Sequence, residues 1–168
     1  AGDSIMALFP DDPGKAIGTA LGMLDELRTY NMHRRKVGYK SIEIGIGVHT
    51  GTLILGIIGN QTRYQGTVIS DAVNLAARIQ DLTKLYGANM IISQETFVQL
   101  DDPTEFGFRF LGKVKVKGKS NSVSLFEIFS GDSEENAKRK NATKQDFETA
   151  VLLFSKRDFK GASAILKD

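Results

Sequence analysis

Apolar positions along the chain recur with two periods, and each period predicts one kind of element. In residues 15–35 they recur every three or four positions, which predicts an amphipathic helix. In residues 41–49 they alternate with glycine or polar residues, as in a strand. The short apolar segment 4–9 (SIMALF) predicts a buried strand, and residues 53–58 predict the return strand of a hairpin with 41–49.

The alternation in residues 41–49 leaves one face of the predicted strand almost without side chains. Isoleucine and valine occupy one face, while Gly45 and Gly47 fall on the other. Glycines on one face of a strand usually mark a bulge, or a close approach by a ligand or another chain. We therefore expect something to lie against this face.

The segment from Arg63 to Tyr86 predicts a β-branched strand, a turn at Ser70 and a helix that ends at Gly87. Asn74 and Arg78 lie one turn apart on this helix, so their side chains point the same way. An amide beside a guanidinium suits an anionic or polar substrate group. An Asn/Arg pair on a helix is more often solvated surface, so the pattern leaves both interpretations open. The opposite face carries an apolar stripe: Ala72, Leu75, Ala76, Ile79, Leu82 and Tyr86.

Shorter elements follow the predicted helix. Residues 89–92 predict a strand, residues 93–100 a short helix, and residues 106–111, 113–116 and 123–129 three further strands. The resulting order is β-α-β-β-α-β-(α)-β-β-β. It predicts an α+β fold with a mostly antiparallel sheet, similar to a ferredoxin-like unit without its first strand.

The composition changes near residue 130. Residues 131–142 are polar and charged, which predicts a linker between a domain over 1–130 and the rest of the chain. Residues 143–168 carry two amphipathic patterns that predict a tail formed by a helical hairpin. Such a hairpin resembles one tetratricopeptide repeat, which cannot bury a core alone, so it either docks on the domain or belongs to something longer.

The composition excludes several classes of function. The chain has 168 residues, 41% of them hydrophobic, which is typical of a soluble globular protein. It has no cysteine, no long apolar run and no signal peptide. We therefore expect this segment to be cytoplasmic, without membrane contact, either alone or as the cytosolic part of a larger sensor or membrane protein. The net charge of +2 is too small to predict nucleic-acid binding.

Four lysines occupy alternate positions near the predicted last hairpin: Lys113, Lys115, Lys117 and Lys119. In a strand they would lie on one face. Lysines commonly keep an exposed edge strand from aggregating. Alternatively, one or two of them neutralise a polyphosphate. Together with Asp3, Thr67, Asn74 and Arg78, such a lysine would make a nucleotide site.

Several stretches resemble the class III adenylate/guanylate cyclase catalytic domain of bacterial type. They are residues 2–9 (GDSIMALF), 44–51 (IGIGVHTG), 56–59 (GIIG), 67–78 (TVISDAVNLAAR) and Lys117 with the glycine after it. The set covers residues 1 to about 130, in order and at the family's spacing. The resemblance implies the cyclase fold, without its first strand, and formation of 3′,5′-cyclic AMP and pyrophosphate from ATP.

The resemblance also implies roles for individual residues. Asn74 would orient the ribose, and Arg78 would stabilise charge on the α-phosphate in the transition state. Thr67 and the adjoining Val68 fall where the family binds the purine, and threonine there goes with adenine. Lys117 lies where the family binds the terminal phosphates, although Lys119 is close enough to compete for that role.

The resemblance further implies cofactors and a partner subunit. Asp3 is similar to the second of two metal-binding aspartates, so two Mg²⁺ or Mn²⁺ ions per site are expected. Family members form head-to-tail homodimers in which one chain supplies the metal ligands and the other the Asn/Arg pair. Asn74 and Arg78 would then face the metal aspartates of a second copy.

Two departures from the family pattern carry consequences. The family's Phe-x-Asp-(Ile/Met)-x-Gly-Phe segment, which supplies the first metal aspartate, is not in this sequence, so we expect the chain to be inactive alone and a longer parent to be active. Ser70 replaces a glycine that is usual before Asp71, so the backbone there must avoid positive φ. The alternatives are a non-catalytic nucleotide-binding or dimerisation module, and a guanylate cyclase that uses GTP.

Overall fold

The computed structural model describes residues 4–60, 63–115 and 122–167, without the side chains of residue 55 and of residues 57–60 and 63–69. None of the helices among these residues is long and apolar enough to cross a membrane. The elements are α1 (Pro13–Lys36), β1 (Ile46–Val48), β2 (Ile54–Asn60), β3 (Arg63–Ile69), α2 (Asp71–Tyr86), β4 (Met90–Ser93), α3 (Gln94–Phe97), a 3-10 turn (Pro103–Glu105), β5 (Phe108–Lys115), β6 (Ser122–Ile128), α4 (Glu134–Ala142), α5 (Lys144–Ser155) and α6 (Phe159–Ile165).

The strands form one four-stranded sheet and one separate hairpin. The sheet has the order β1-β4-β6-β5, and only the β1–β4 pair is parallel. Strands β2 and β3 pair with each other in antiparallel register, from Ile54 opposite Ile69 to Asn60 opposite Arg63. The predicted α+β class with a mostly antiparallel sheet is confirmed.

Helices cover both faces of the four-stranded sheet. Alternation along β4 divides the core, because Ile91 packs into one apolar cluster while Met90 and Ile92 pack into the other. The cluster with Ile91 includes Leu75 and Ile79 of α2. The other cluster includes three buried residues of α1: Ile17, Ala20 and Leu24. The sheet therefore lies between α2 on one face and α1 on the other.

The predicted hairpin between residues 41–49 and 53–58 is wrong. Only Ile46–Val48 forms a strand, and it pairs in parallel with β4, whose four residues are all buried. Strand β2 instead pairs with β3, the strand that leads into α2. The alternation in the sequence identified the two faces of β1 correctly, but it carried no information about which strand lies beside it.

The predicted buried strand at residues 4–9 is also wrong. These residues have no regular secondary structure and are exposed, with Ile5 at 83% and Met6 at 57% of full exposure. A strand exists only through hydrogen bonds to a neighbouring strand. No strand in the described part of the chain pairs with this segment.

The last strands and the predicted linker also differ from expectation. Residues 106–111 and 113–116 were expected as two strands, but β5 is a single strand with a register shift at Gly112, where φ is +108°. A bulge with glycine at positive φ turns the strand without ending it. Most of the predicted linker forms α4, which has Ser133 as its N-cap and two glutamates in its first turn. The predicted helical tail is present as α5 and α6.

Candidate functional site

Helix α2 carries the predicted Asn/Arg pair, and its two ends are fixed by local chemistry. The Ser70 hydroxyl accepts a hydrogen bond from the Ala72 N–H (2.9 Å) and donates one to the Thr52 carbonyl (2.7 Å). At the other end, Gly87 adopts the left-handed conformation (φ 60°) and its N–H donates to the Thr83 carbonyl. Ser70 itself has φ −164°, so the predicted avoidance of positive φ is confirmed and serine gains a capping role.

Helix α2 packs against the glycine face of β1, formed by Gly47 and by Gly45 just before the strand; this face is the seat of α2. A Cβ on Gly47 would overlap the Ala76 carbonyl oxygen and the Gln80 backbone nitrogen, and would stand 2.9 Å from the Gln80 Cα. A Cβ on Gly45 would overlap the hydroxyl of Thr83, which is buried. The predicted close approach is confirmed, but the approaching element is a helix of the same chain and not a ligand or another chain.

Asn74 and Arg78 project from the side of α2 that faces away from this seat. Asn74 is exposed and Arg78 is half-buried, while Leu75 and Ile79 beside them are buried in the core. Within the described residues, neither side chain has a hydrogen-bond or ion-pair partner. The structure therefore holds the backbone of both residues firmly and leaves an amide and a guanidinium available to bind something else.

Thr67 and Val68 lie on β3, three and two residues before the N-cap of α2. Their backbones are in register with Gly56 and Leu55 of β2. Their side chains lie outside the described part of the structure. The strand thus leads from the predicted purine-binding positions directly into the helix with the predicted catalytic pair.

Two predicted site residues, Asp3 and Lys117, lie outside the described residues. The described part of the chain contains no group of three or more His, Cys, Asp or Glu side chains that could hold a metal ion. The predicted metal role of Asp3 and the predicted phosphate role of Lys117 therefore stay predictions. Lys113 and Lys115 are exposed on β5, which is an edge strand, as the edge-strand interpretation of the lysines predicts.

His49 is a structural link near α2 to which the sequence pattern assigned no role. Its side chain is only 8% exposed, and its Nδ1 lies 2.8 Å from the Ser93 Oγ and 3.8 Å from a carboxylate oxygen of Glu95. The neighbouring Thr50 hydroxyl donates to the Thr96 hydroxyl (3.1 Å). These contacts tie the chain after β1 to the start of α3. The sequence signal that could have identified His49 is its position directly after a strand and before Thr-Gly.

A cavity of about 250 Å³ lies away from α2, between the start of α1 and the 3-10 turn. None of its lining residues in the described part of the chain is a predicted site residue. Asp102 lines it and accepts hydrogen bonds from the Thr104 hydroxyl (2.5 Å) and N–H (2.8 Å), which lower the pKa of its carboxyl. These bonds cap the turn, so the group has a local structural role. The remaining lining residues are Asp12, Gly14, Lys15, Leu100, Asp101, Glu105 and Phe106.

Comparison with known proteins assigns this arrangement to a family. The family model described as "Adenylate and Guanylate cyclase catalytic domain" matches residues 9–128. The adenylate cyclase of Anabaena cylindrica is 42% identical over 133 residues, which are 76% of this chain and 26% of that protein. The terminal-differentiation-specific adenylate cyclase of Dictyostelium discoideum is 36% identical over 140 residues, which are 80% of this chain and 6% of that protein.

Solved structures agree with this match. The adenylyl cyclase CyaB from P. aeruginosa superposes with a TM-score of 0.62 at 26% identity, over 79% of this chain and 66% of that one. The guanylyl cyclase Cya2 superposes with a TM-score of 0.61, also at 26% identity and with the same coverage. The fold is thus that of cyclase catalytic domains, although the chain spans only about a quarter or less of the named relatives' length.

Proposed function

The chain belongs to the adenylate and guanylate cyclase catalytic domain family, and we propose that it supplies part of an active site that converts ATP to 3′,5′-cyclic AMP and pyrophosphate. The observation that carries the proposal is the presentation of Asn74 and Arg78 on the outer side of α2. Helix α2 is capped at both ends and packs against β1, so the backbone positions of Asn74 and Arg78 are fixed. Such fixed positions are what electrostatic catalysis requires.

The proposed reaction is an internal displacement at phosphorus. The ribose 3′ oxygen attacks the α-phosphorus, the bond from that phosphorus to the oxygen bridging to the β-phosphate breaks, and pyrophosphate leaves. The 3′ hydroxyl proton passes to water. The guanidinium of Arg78 would stabilise the charge that develops on the α-phosphate oxygens, and Asn74 would hold the ribose in line for attack.

The proposed substrate is ATP, and GTP is the second candidate. Thr67 and Val68 precede α2 on β3, which favours a base-binding role close to the catalytic pair. Named relatives from Anabaena, Dictyostelium and Rhizobium are adenylate cyclases, which favours ATP. One of the similar solved structures is a guanylyl cyclase, so GTP is kept as the alternative.

The proposed assembly is a head-to-tail homodimer. The β2–β3 hairpin is separate from the four-stranded sheet, and an isolated two-stranded hairpin is marginally stable in water. A second copy would stabilise it. Asn74 and Arg78 have no partner among the described residues, which fits a site completed by the other chain. A cytoplasmic location, where nucleoside triphosphates are available, belongs to the same proposal.

Asp3 is the residue of this chain that is proposed to bind metal. A single carboxylate does not make a site for Mg²⁺ or Mn²⁺, which bind about six oxygen ligands. The described residues provide no cluster to complete it. Bound divalent ions would neutralise triphosphate charge, with Asp3 as the one carboxylate of this chain that the proposal assigns to them.

The test is a cyclase assay with Mn²⁺ and either ATP or GTP, on the 168-residue chain and on the full-length protein that contains it. We expect cyclic AMP from the full-length protein and none from the chain alone. Formation of cyclic AMP by the 168-residue chain at the rate of the full-length protein would refute the expectation that the chain is inactive alone. Binding of ATP without turnover in the full-length protein would instead favour the non-catalytic module.

A further inference from the structure

Buried charges tie helix α4 to the sheet that precedes it. Glu127 of β6 is fully buried, and each of its two carboxylate oxygens contacts a basic side chain. The Nε of Arg109 on β5 lies 2.5 Å from one oxygen, and the Nζ of Lys140 on α4 lies 2.6 Å from the other. The family match ends at residue 128, so Lys140 brings a charge from outside the matched domain to a buried acid inside it.

Asp132, between β6 and α4, is a second buried acid on the same lysine. The Lys140 Nζ lies 2.5 Å from one carboxylate oxygen of Asp132, whose side chain is 3% exposed. The other oxygen accepts a hydrogen bond (2.8 Å) from the side chain of Asn89, in the connection between α2 and β4. The two acids, Glu127 and Asp132, are therefore balanced by two bases. This balance holds only while Lys140 is in place.

Helix α1 holds the connection that carries Asp132. The guanidinium of Arg28 donates to the backbone carbonyls of Gly131 (3.0 Å) and Asp132 (3.3 Å). A Cβ on Gly131 would lie 2.6 Å from the Cδ1 of Leu24, so glycine lets the chain pass close to α1. The Asp132 N–H donates to the Phe129 carbonyl (3.0 Å), which closes a turn. The start of the predicted linker is therefore a packed junction among α1, the α2–β4 connection and α4.

Helix α5, directly after α4, contacts β5 beside the same charges. The Phe110 N–H donates to the Glu148 carboxylate (2.8 Å). The Arg109 guanidinium lies 4.1 Å from the centre of the Phe147 ring. Arg109 therefore belongs both to the charged group and to the contact with α5. Helix α4 thus lies between two segments that are both anchored on the sheet.

We propose that Lys140 is a latch that fastens α4 onto the domain as a strap, by neutralising Glu127 and Asp132 together. If α4 swung away, two buried carboxylates would be left with Arg109 alone, and an unpaired buried charge is strongly unfavourable. Release of α4 is therefore coupled to opening of the charged junction, and α4 moves with the domain instead of as a linker. The latch contains none of the residues proposed for catalysis, so it is independent of the proposed function.

Tryptic cleavage after Arg139 in the folded 168-residue chain measures release of α4, because a protease cuts a helix only after it opens locally. In Lys140→Met we expect cleavage there to be about a hundredfold faster, because two buried carboxylates then share one base. The matched control is Lys138→Met, which also removes one cation and one cleavage site from α4. Lys138 is 75% exposed and pairs with the exposed Glu134, so the control should stay within about twofold of the original rate. An unchanged rate in Lys140→Met, or equal acceleration in both variants, would overturn the latch.

A double variant, Asp132→Asn with Lys140→Met, tests whether charge balance is the cause. It leaves Glu127 with Arg109, one acid with one base, so we expect cleavage after Arg139 to be about tenfold slower than in Lys140→Met alone. Loss of the lysine's packing would give no such recovery, and cleavage as fast as in the single variant, or faster, would overturn the proposal. If Lys140→Met does not fold, circular dichroism of the double variant decides. A folded double variant would then support the latch, and an unfolded one would overturn it.

Discussion

Gly47 of β1 and Gln80 of α2 approach so closely that no side chain fits between their backbones. A Cβ added at residue 47 would overlap the Gln80 nitrogen. Because α2 carries the proposed catalytic pair, this contact sets the height of Asn74 and Arg78 above the sheet. The packing contact at Gly47 therefore determines where the two proposed catalytic residues lie.

Gly47→Ala should push α2 away from the sheet. Overpacking of this kind costs about 1–3 kcal/mol, which urea unfolding of the chain will measure. The matched control is Gly22→Ala on α1, where an added Cβ meets nothing within 4 Å. That variant should be more stable by about 0.5–1 kcal/mol, because alanine favours helix over glycine. Equal stability of both variants would contradict the close packing contact between Gly47 and α2.

Ser70→Ala should destabilise the chain by about 1 kcal/mol, because the first turn of α2 loses the hydroxyl that caps it. Ser70→Gly, which restores the residue usual in the family, should cost only a few tenths of a kcal/mol. Thermal unfolding of the three proteins provides the comparison. A glycine variant less stable than the alanine variant would argue against the capping role.

Arg78→Ala in the full-length protein should lower kcat about a hundredfold with little change in KM, because the guanidinium is assigned to charge that develops in the transition state. Lys84→Ala removes an exposed cation from the last turn of the same helix and should leave both constants unchanged. Steady-state kinetics with ATP will measure kcat and KM for both variants. A large rise in KM with kcat intact would instead assign Arg78 to ground-state binding.

Tyr86 should make stability depend on alkaline pH. Burial raises the pKa of its phenol above the ordinary value of 10.0. A raised pKa in the folded state means that the contribution is fully present below pH 10.0 and is lost as the pH rises through the folded pKa. Absorbance at alkaline pH should show a late titration step from Tyr86, and this step should be missing in Tyr86→Phe. Titration of every tyrosine near pH 10.0 would contradict it.

The sequence predicted α2 well because the signals for it are local. Its N-cap at Ser70, its end at Gly87 and its apolar stripe all lie within one continuous segment, and the helix has these features. The predicted face of Asn74 and Arg78 follows from the helical period alone. Their availability to a ligand depends on what the rest of the chain leaves uncovered, which only the tertiary structure determines.

Contacts between distant segments could not be predicted. The glycines of β1 signalled a close approach, yet nothing near them in the sequence named α2 as the neighbour. Likewise, Glu127 gave no sign that it would be buried between Arg109 and Lys140, because the three residues share no spacing that a period could reveal. Pairing partners of strands and ion pairs across elements are long-range properties.

The uncovered segment 4–9 has a practical consequence for handling the protein. Its six residues include no charge and no proline, and Ile5, Met6, Leu8 and Phe9 are all exposed. Stretches of this kind from separate molecules can stack into intermolecular strands at high concentration. Solutions of the chain should therefore become turbid as they are concentrated. A charged residue in place of Met6 should extend the usable concentration range without touching α2 or its seat.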